Sequence, residues 1–79
     1  MSKRLKDAML DRMVKLSASI AALNTSADQL AKSSRQCEVK PMSNALIDIA
    51  RRQRVKVLEM QGQLAALDVA FTQRFGVDL

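Results

Sequence analysis

The chain has no histidine, tryptophan or tyrosine, and its single cysteine is Cys37. Each absence closes a class of explanation. With no histidine and one thiol there is no ligand set for a structural zinc site. One cysteine also excludes an internal disulfide framework. Two phenylalanines are the only aromatics, so no row of rings is available for single-stranded nucleic acid to stack on. Two glycines and one proline are too few for a turn-rich β fold or a flexible linker protein. No apolar run approaches the ~18 residues of a membrane-spanning helix. Asp7, Asp11, Arg12 and Lys15 interrupt any apolar core of a secretory signal.

Material for catalysis is equally sparse. No nucleophile stands beside a base, the acidic residues are scattered, and there is no glycine-rich phosphate loop. The expectation is a binding protein rather than an enzyme, with no cofactor, metal or small-molecule substrate. The lone thiol and the lack of a targeting or membrane segment point to a reducing cytoplasm.

What is present is amphipathic. Hydrophobic residues make up 48 % of the 79 positions and charged residues 27 %, with a net charge of +5. That length allows one small domain, residues 1–79. A chain this small without disulfide or metal needs an oligomer or a partner protein for stability.

Met9, Met13, Leu16, Ile20, Leu23, Ala27 and Leu30 recur at alternating intervals of 4 and 3. This is the seam of a coiled coil or tight bundle. Leu5 extends it by one turn, and Ser2 is a suitable N-cap. Asn24-Thr25-Ser26 is weak in helix propensity, and Ser26 with Gln29 has the form of a capping box. The stripe nevertheless keeps its register there, so one continuous helix is expected over about residues 3–33. Periodicity is lost between Ser33 and Lys40, and residues 34–41 read as the connection. Pro41 suits the first turn of a second helix, with Ser43 as an alternative N-cap. That helix is expected over 42–75, with Gly76 as its C′ residue and Val77 making the accompanying apolar contact.

The second helix carries two stripes. Leu46, Ala50, Val57, Met60, Leu64, Leu67, Phe71 and Phe75 form one seam, with Gln53 and Arg54 as a polar notch facing Asn24–Ser26. Val55, Leu58, Gly62, Ala65 and Val69 form the other, offset by two residues. An offset of two turns the direction by about 200°, so the stripes face opposite ways. The fold class is therefore all-α, an antiparallel hairpin of two long helices. Pairing across the connection sets Phe71 near Leu5, Leu64 near Leu10 to Met13, and Met60 near Leu16.

The second stripe has no partner within so short a chain. Val14, Ala18, Ala21 and Ala22 give the first helix a matching small surface. The candidate interface is thus Val55, Leu58, Gly62, Ala65 and Val69 with Val14, Ala18 and Ala21. It can join two hairpins into a homodimeric four-helix bundle, or receive a helix of another protein. The expected function is that of a small regulatory or chaperone-like protein acting through helix–helix contacts.

Charge supplies the alternative. Basic residues gather at Lys3, Arg4, Lys6, Arg12 and Lys15, and again at Arg51, Arg52, Arg54 and Lys56. A basic dimer of this kind would touch the backbone of duplex DNA or folded RNA, with the second cluster as the contact. The plainer account is a solvated helix surface. Cys37, beside Arg35 and Lys40, admits redox sensing or cross-dimer bridging. With no second cysteine to resolve it, an incidental thiol is the simpler reading.

Overall fold

A computed structural model describes residues 2–76 as an all-α antiparallel helical hairpin. Helix α1 runs Ser2–Gln36 and helix α2 runs Lys40–Phe75. Together they make a rod of 56 × 22 × 14 Å. No helix among the described residues is long and apolar enough to cross a membrane.

The alternating apolar positions form the contact between the helices, as their spacing requires. Leu16 and Ala27 of α1 and Ala50 and Val57 of α2 are buried, and Met9, Met13, Ile20, Leu23, Leu30, Met60, Leu64, Leu67 and Phe71 are half-buried. No large side chain among the described residues is fully buried. That is the expected result for two helices alone, because each touches a neighbour on one side only. The helix passes through Asn24-Thr25-Ser26 without a break, so seam contacts outweigh the weak local propensity.

The connection is shorter than the sequence suggests. It occupies residues 37–39 rather than 34–41, and α1 continues through Ser33, Ser34, Arg35 and Gln36. A pair of serines accounts for the extra turn. Ser34 continues the seam four residues beyond Leu30 and is only 3 % exposed. Its hydroxyl donates to the Ser43 carbonyl at 3.0 Å, and the Ser43 hydroxyl donates to the Ser34 carbonyl at 3.0 Å. The two Oγ atoms are 2.9 Å apart. Cys37 N–H then closes on the Ser34 carbonyl at 3.2 Å.

Ser43 is therefore not the N-cap of α2. Val39 holds that place with extended backbone and no side-chain cap, Pro41 lies in the first turn, and Ser43 N–H bonds the Val39 carbonyl at 2.9 Å. The Ser43 hydroxyl is used across the hairpin instead.

Leu5 also departs from its expected place. It is 38 % exposed, while Lys6 is half-buried with its ammonium 6.0 Å from the Phe75 ring centre. Stepping back from Met9 by three, as the alternation demands, reaches Lys6. Its long alkyl stem can cover apolar surface as a hydrophobic side chain would. Phe75 in turn packs on Phe71, ring centres 5.0 Å apart.

At the far end Gly76 donates to the Thr72 carbonyl at 2.8 Å with φ 74° and ψ −179°. The positive φ is the conformation that favours glycine, although ψ is extended rather than left-handed helical. The expected apolar contact of Val77 lies outside the described residues.

Candidate protein-docking face

Side chains seven residues apart on a helix share a direction, since two turns nearly complete the same angle. On α2, Val55, Gly62 and Val69 form such a row, pointing away from α1. Val55 and Val69 are each 55 % exposed and Gly62 is exposed. A Cβ placed on Gly62 would meet nothing within 4 Å. Leu58 and Ala65 form the adjacent row, one residue on from the seam positions Val57 and Leu64. Leu58 is 67 % exposed and Ala65 is exposed. On α1, Val14 and Ala21 stand in the same relation to Met13 and Ile20. Val14 is 67 % exposed, and Ala18 and Ala21 are exposed. All eight residues singled out from the sequence thus lie on open surface.

The rows from the two helices meet on one flank of the rod. An open groove of about 630 Å³ runs there between the helices. Val14 and Ala65 line opposite sides, Met13 and Leu64 form the floor, and Leu10 and Asp68 stand toward one end. The groove also confirms the register, since Leu64 lies against the Leu10–Met13 stretch as expected. Leu16 and Met60 come together on the opposite flank, where a smaller groove of about 350 Å³ is lined by Asp11, Arg12 and Lys15 and is more polar. The hairpin therefore has one apolar flank and one charged flank. Leu10, 40 % exposed, belongs to the apolar one. It sits beside Met9, outside the alternating stripe, and belongs with Val14 and Ala21 to a second seam shifted by one residue.

The basic cluster on α2 does not form one surface. Arg51, Arg52, Arg54 and Lys56 are neighbours in sequence, but each residue turns the direction by about 100°. Arg51 and Arg54 lean toward the apolar flank, Arg52 and Lys56 toward the other. Three of the four also have a carboxylate nearby. Arg54 Nη2 is 2.7 Å from Asp28 Oδ1, Lys56 Nζ is 3.8 Å from Glu59, and Arg51 is 4.0 Å from Asp48. At the first cluster, Lys15 pairs with Asp11 at 2.9 Å.

Of the two notch residues, Arg54 is exposed and reaches Asp28. Gln53 is half-buried, and its Oε1 is fully covered without a hydrogen-bond partner. Cys37 is half-buried, with its thiol 3.5 Å from the Val39 carbonyl in the same connection. Among the described residues no group of three or more His, Cys, Asp or Glu side chains is placed to hold a metal ion.

Set against models of protein families, curated proteins and solved structures, the chain matches none.

Proposed function

We propose that this hairpin is a small regulatory or chaperone-like protein whose work is to bind another protein through helix–helix contacts. In this reading it is not an enzyme, and it acts in a reducing cytoplasm where its one cysteine stays a thiol. The observation that carries the proposal is the open groove lined by Leu10, Val14, Leu64 and Ala65, with Leu58 and Val69 also left exposed, along a rod that buries few side chains. A chain of 8.8 kDa folded as a compact globule would expose about 4,800 Å², and this one exposes 6082 Å². Apolar surface held out in this way suits the helix-in-groove mode of recognition.

The test is affinity capture from native lysate with the wild-type chain and with Leu58→Glu, each with and without nuclease. Leu58 is already solvated in the hairpin, so the substitution spares the fold and adds a charge to the face. The expected result is a nuclease-resistant partner that Leu58→Glu fails to retain. Capture of the same proteins by both chains would overturn the proposal. Loss of all capture after nuclease treatment, with affinity falling steeply with salt and on changing Arg51, Arg52 and Arg54 to Ala, would replace it with nucleic-acid binding.

A further inference from the structure

We infer that the apolar flank is covered by a second copy of this chain. The two-fold axis runs parallel to the helices, so that α1 of each copy lies antiparallel on α2 of the other and both connections sit at the same end. This rests on the reading of that flank as a docking surface and commits it to one occupant.

Geometry fixes the register of such a pair. A two-fold parallel to the rod leaves every residue at its own height, so residues that face each other between copies are those already level within one hairpin. The Ser34–Ser43 contact marks one such level. Asp28 lies six residues before Ser34 and Arg51 eight after Ser43; Ala21 lies thirteen before and Leu58 fifteen after; Val14 lies twenty before and Ala65 twenty-two after. Each pair is level to within about 3 Å, two residues of helical rise. Asp28 stands seven residues beyond Ala21, and Arg51 seven before Leu58, so both belong to the rows that flank the groove.

With no adjustable offset, the pairing sets Val14 against Ala65, Ala21 against Leu58, and Asp28 against Arg51. Apolar residues meet apolar residues, and the charges that follow are opposite. Asp28 would then lie between Arg54 of its own chain, 2.7 Å away, and Arg51 of the second copy. Arg51 is available for this, being 77 % exposed and 4.0 Å from Asp48. A two-fold running across the rod does not do this. With full overlap it brings Asp28 to the level of Asp7 and Asp11 of the second copy, acid against acid. The rod's broad side, 56 × 22 Å, is large enough for the about 800 Å² per partner of a standard interface.

The experiment uses the purified full chain. Sedimentation equilibrium is expected to give twice 8.8 kDa, with Arg51→Asp raising the dimer dissociation constant about tenfold. In a Cys37→Ser background, Ala21→Cys chains mixed with Leu58→Cys chains are expected to form a mixed disulfide on oxidation, while neither alone cross-links to itself. Within one hairpin these two positions face outward from different helices and are too far apart for a disulfide. Self-cross-linking of either single-cysteine chain overturns the parallel two-fold. A monomer at 100 µM (about a hundredfold above a micromolar dissociation constant) overturns the second copy as occupant, even where Leu58→Glu still abolishes capture of another protein. The docking reading itself fails when that capture is indifferent to Leu58→Glu or is lost on nuclease treatment.

Discussion

Replacing Ser34 with alanine tests whether the two serines near the connection act as a clasp. Each hydroxyl has one proton, and the reciprocal bonds to the carbonyls use both, although the two oxygens also stand 2.9 Å apart. Two protons can fill only two of these three contacts at once, so the Oγ–Oγ contact is a hydrogen bond only when one hydroxyl turns away from its carbonyl. The carbonyls of Ser34 and Ser43 lie within helices and keep backbone partners when a hydroxyl is removed. The loss in Ser34→Ala or in Ser43→Ala is thus close to the net worth of one hydrogen bond, about 1 kcal/mol. The double variant should lose about 1 kcal/mol rather than twice that, because the second substitution removes a hydroxyl that the first left alone in a covered seam. It also replaces both polar groups by methyls, matching Ala27 and Ala50 one heptad further along the seam, which are 0 % and 5 % exposed. Urea unfolding of the four chains at one fixed protein concentration measures this, since any self-association ties the midpoint to concentration. A double variant whose loss equals the sum of the singles would show two independent bonds. Singles indistinguishable from wild type would show that the clasp contributes nothing.

Three further outcomes follow from particular side chains. Gly62→Ala should raise the stability of the isolated hairpin by about 0.5–1 kcal/mol, because the added methyl meets nothing within 4 Å and mid-helix glycine is costly; an unchanged or lower thermal midpoint in dilute solution would contradict this. Gln53→Leu should stabilise by about 1–2 kcal/mol through removal of a covered oxygen that has no partner, and a lower midpoint would show that the notch is satisfied in solution. Asp28→Asn should cost about 0.2–1 kcal/mol through the exposed pair with Arg54, a difference that shrinks in 1 M salt, where the screening length is about 3 Å; a salt-independent loss would mean that the carboxylate does something else.

The architecture was legible because one signal dominates it. The 3–4 alternation from Met9 to Leu30 and from Val57 to Phe71 names the seam residues, and antiparallel pairing across a short connection sets their register. The point where α1 ends was not legible. Ser33 and Ser34 carry loop-like propensity, and the bond that holds them helical is made to Ser43, nine residues away. The stripe gave a hint, since Ser34 follows Leu30 by four. Leu5 was misplaced for a related reason: hydrophobicity was followed where the period pointed to Lys6, whose alkyl stem serves as well. The open face was visible as a second stripe, and Leu10 was readable as part of a seam shifted by one residue, but the flank they share and the place of Asp28 beside it needed three dimensions. The basic cluster was the reverse case. Proximity in sequence suggested one patch, and helical rotation divides it between two flanks.

The seam also differs along its length. Near the connection it includes Ser34, Ser43, Ala27 and Ala50, while toward the other end it carries Met9, Met13, Leu64, Phe71 and Phe75. Small side chains draw helices together and large ones hold them apart. The rod is thus built like a pair of tongs, with a tight pivot beside Cys37 and jaws filled by sulfur and rings. Forced open, it would spread from the jaws and yield last at the pivot.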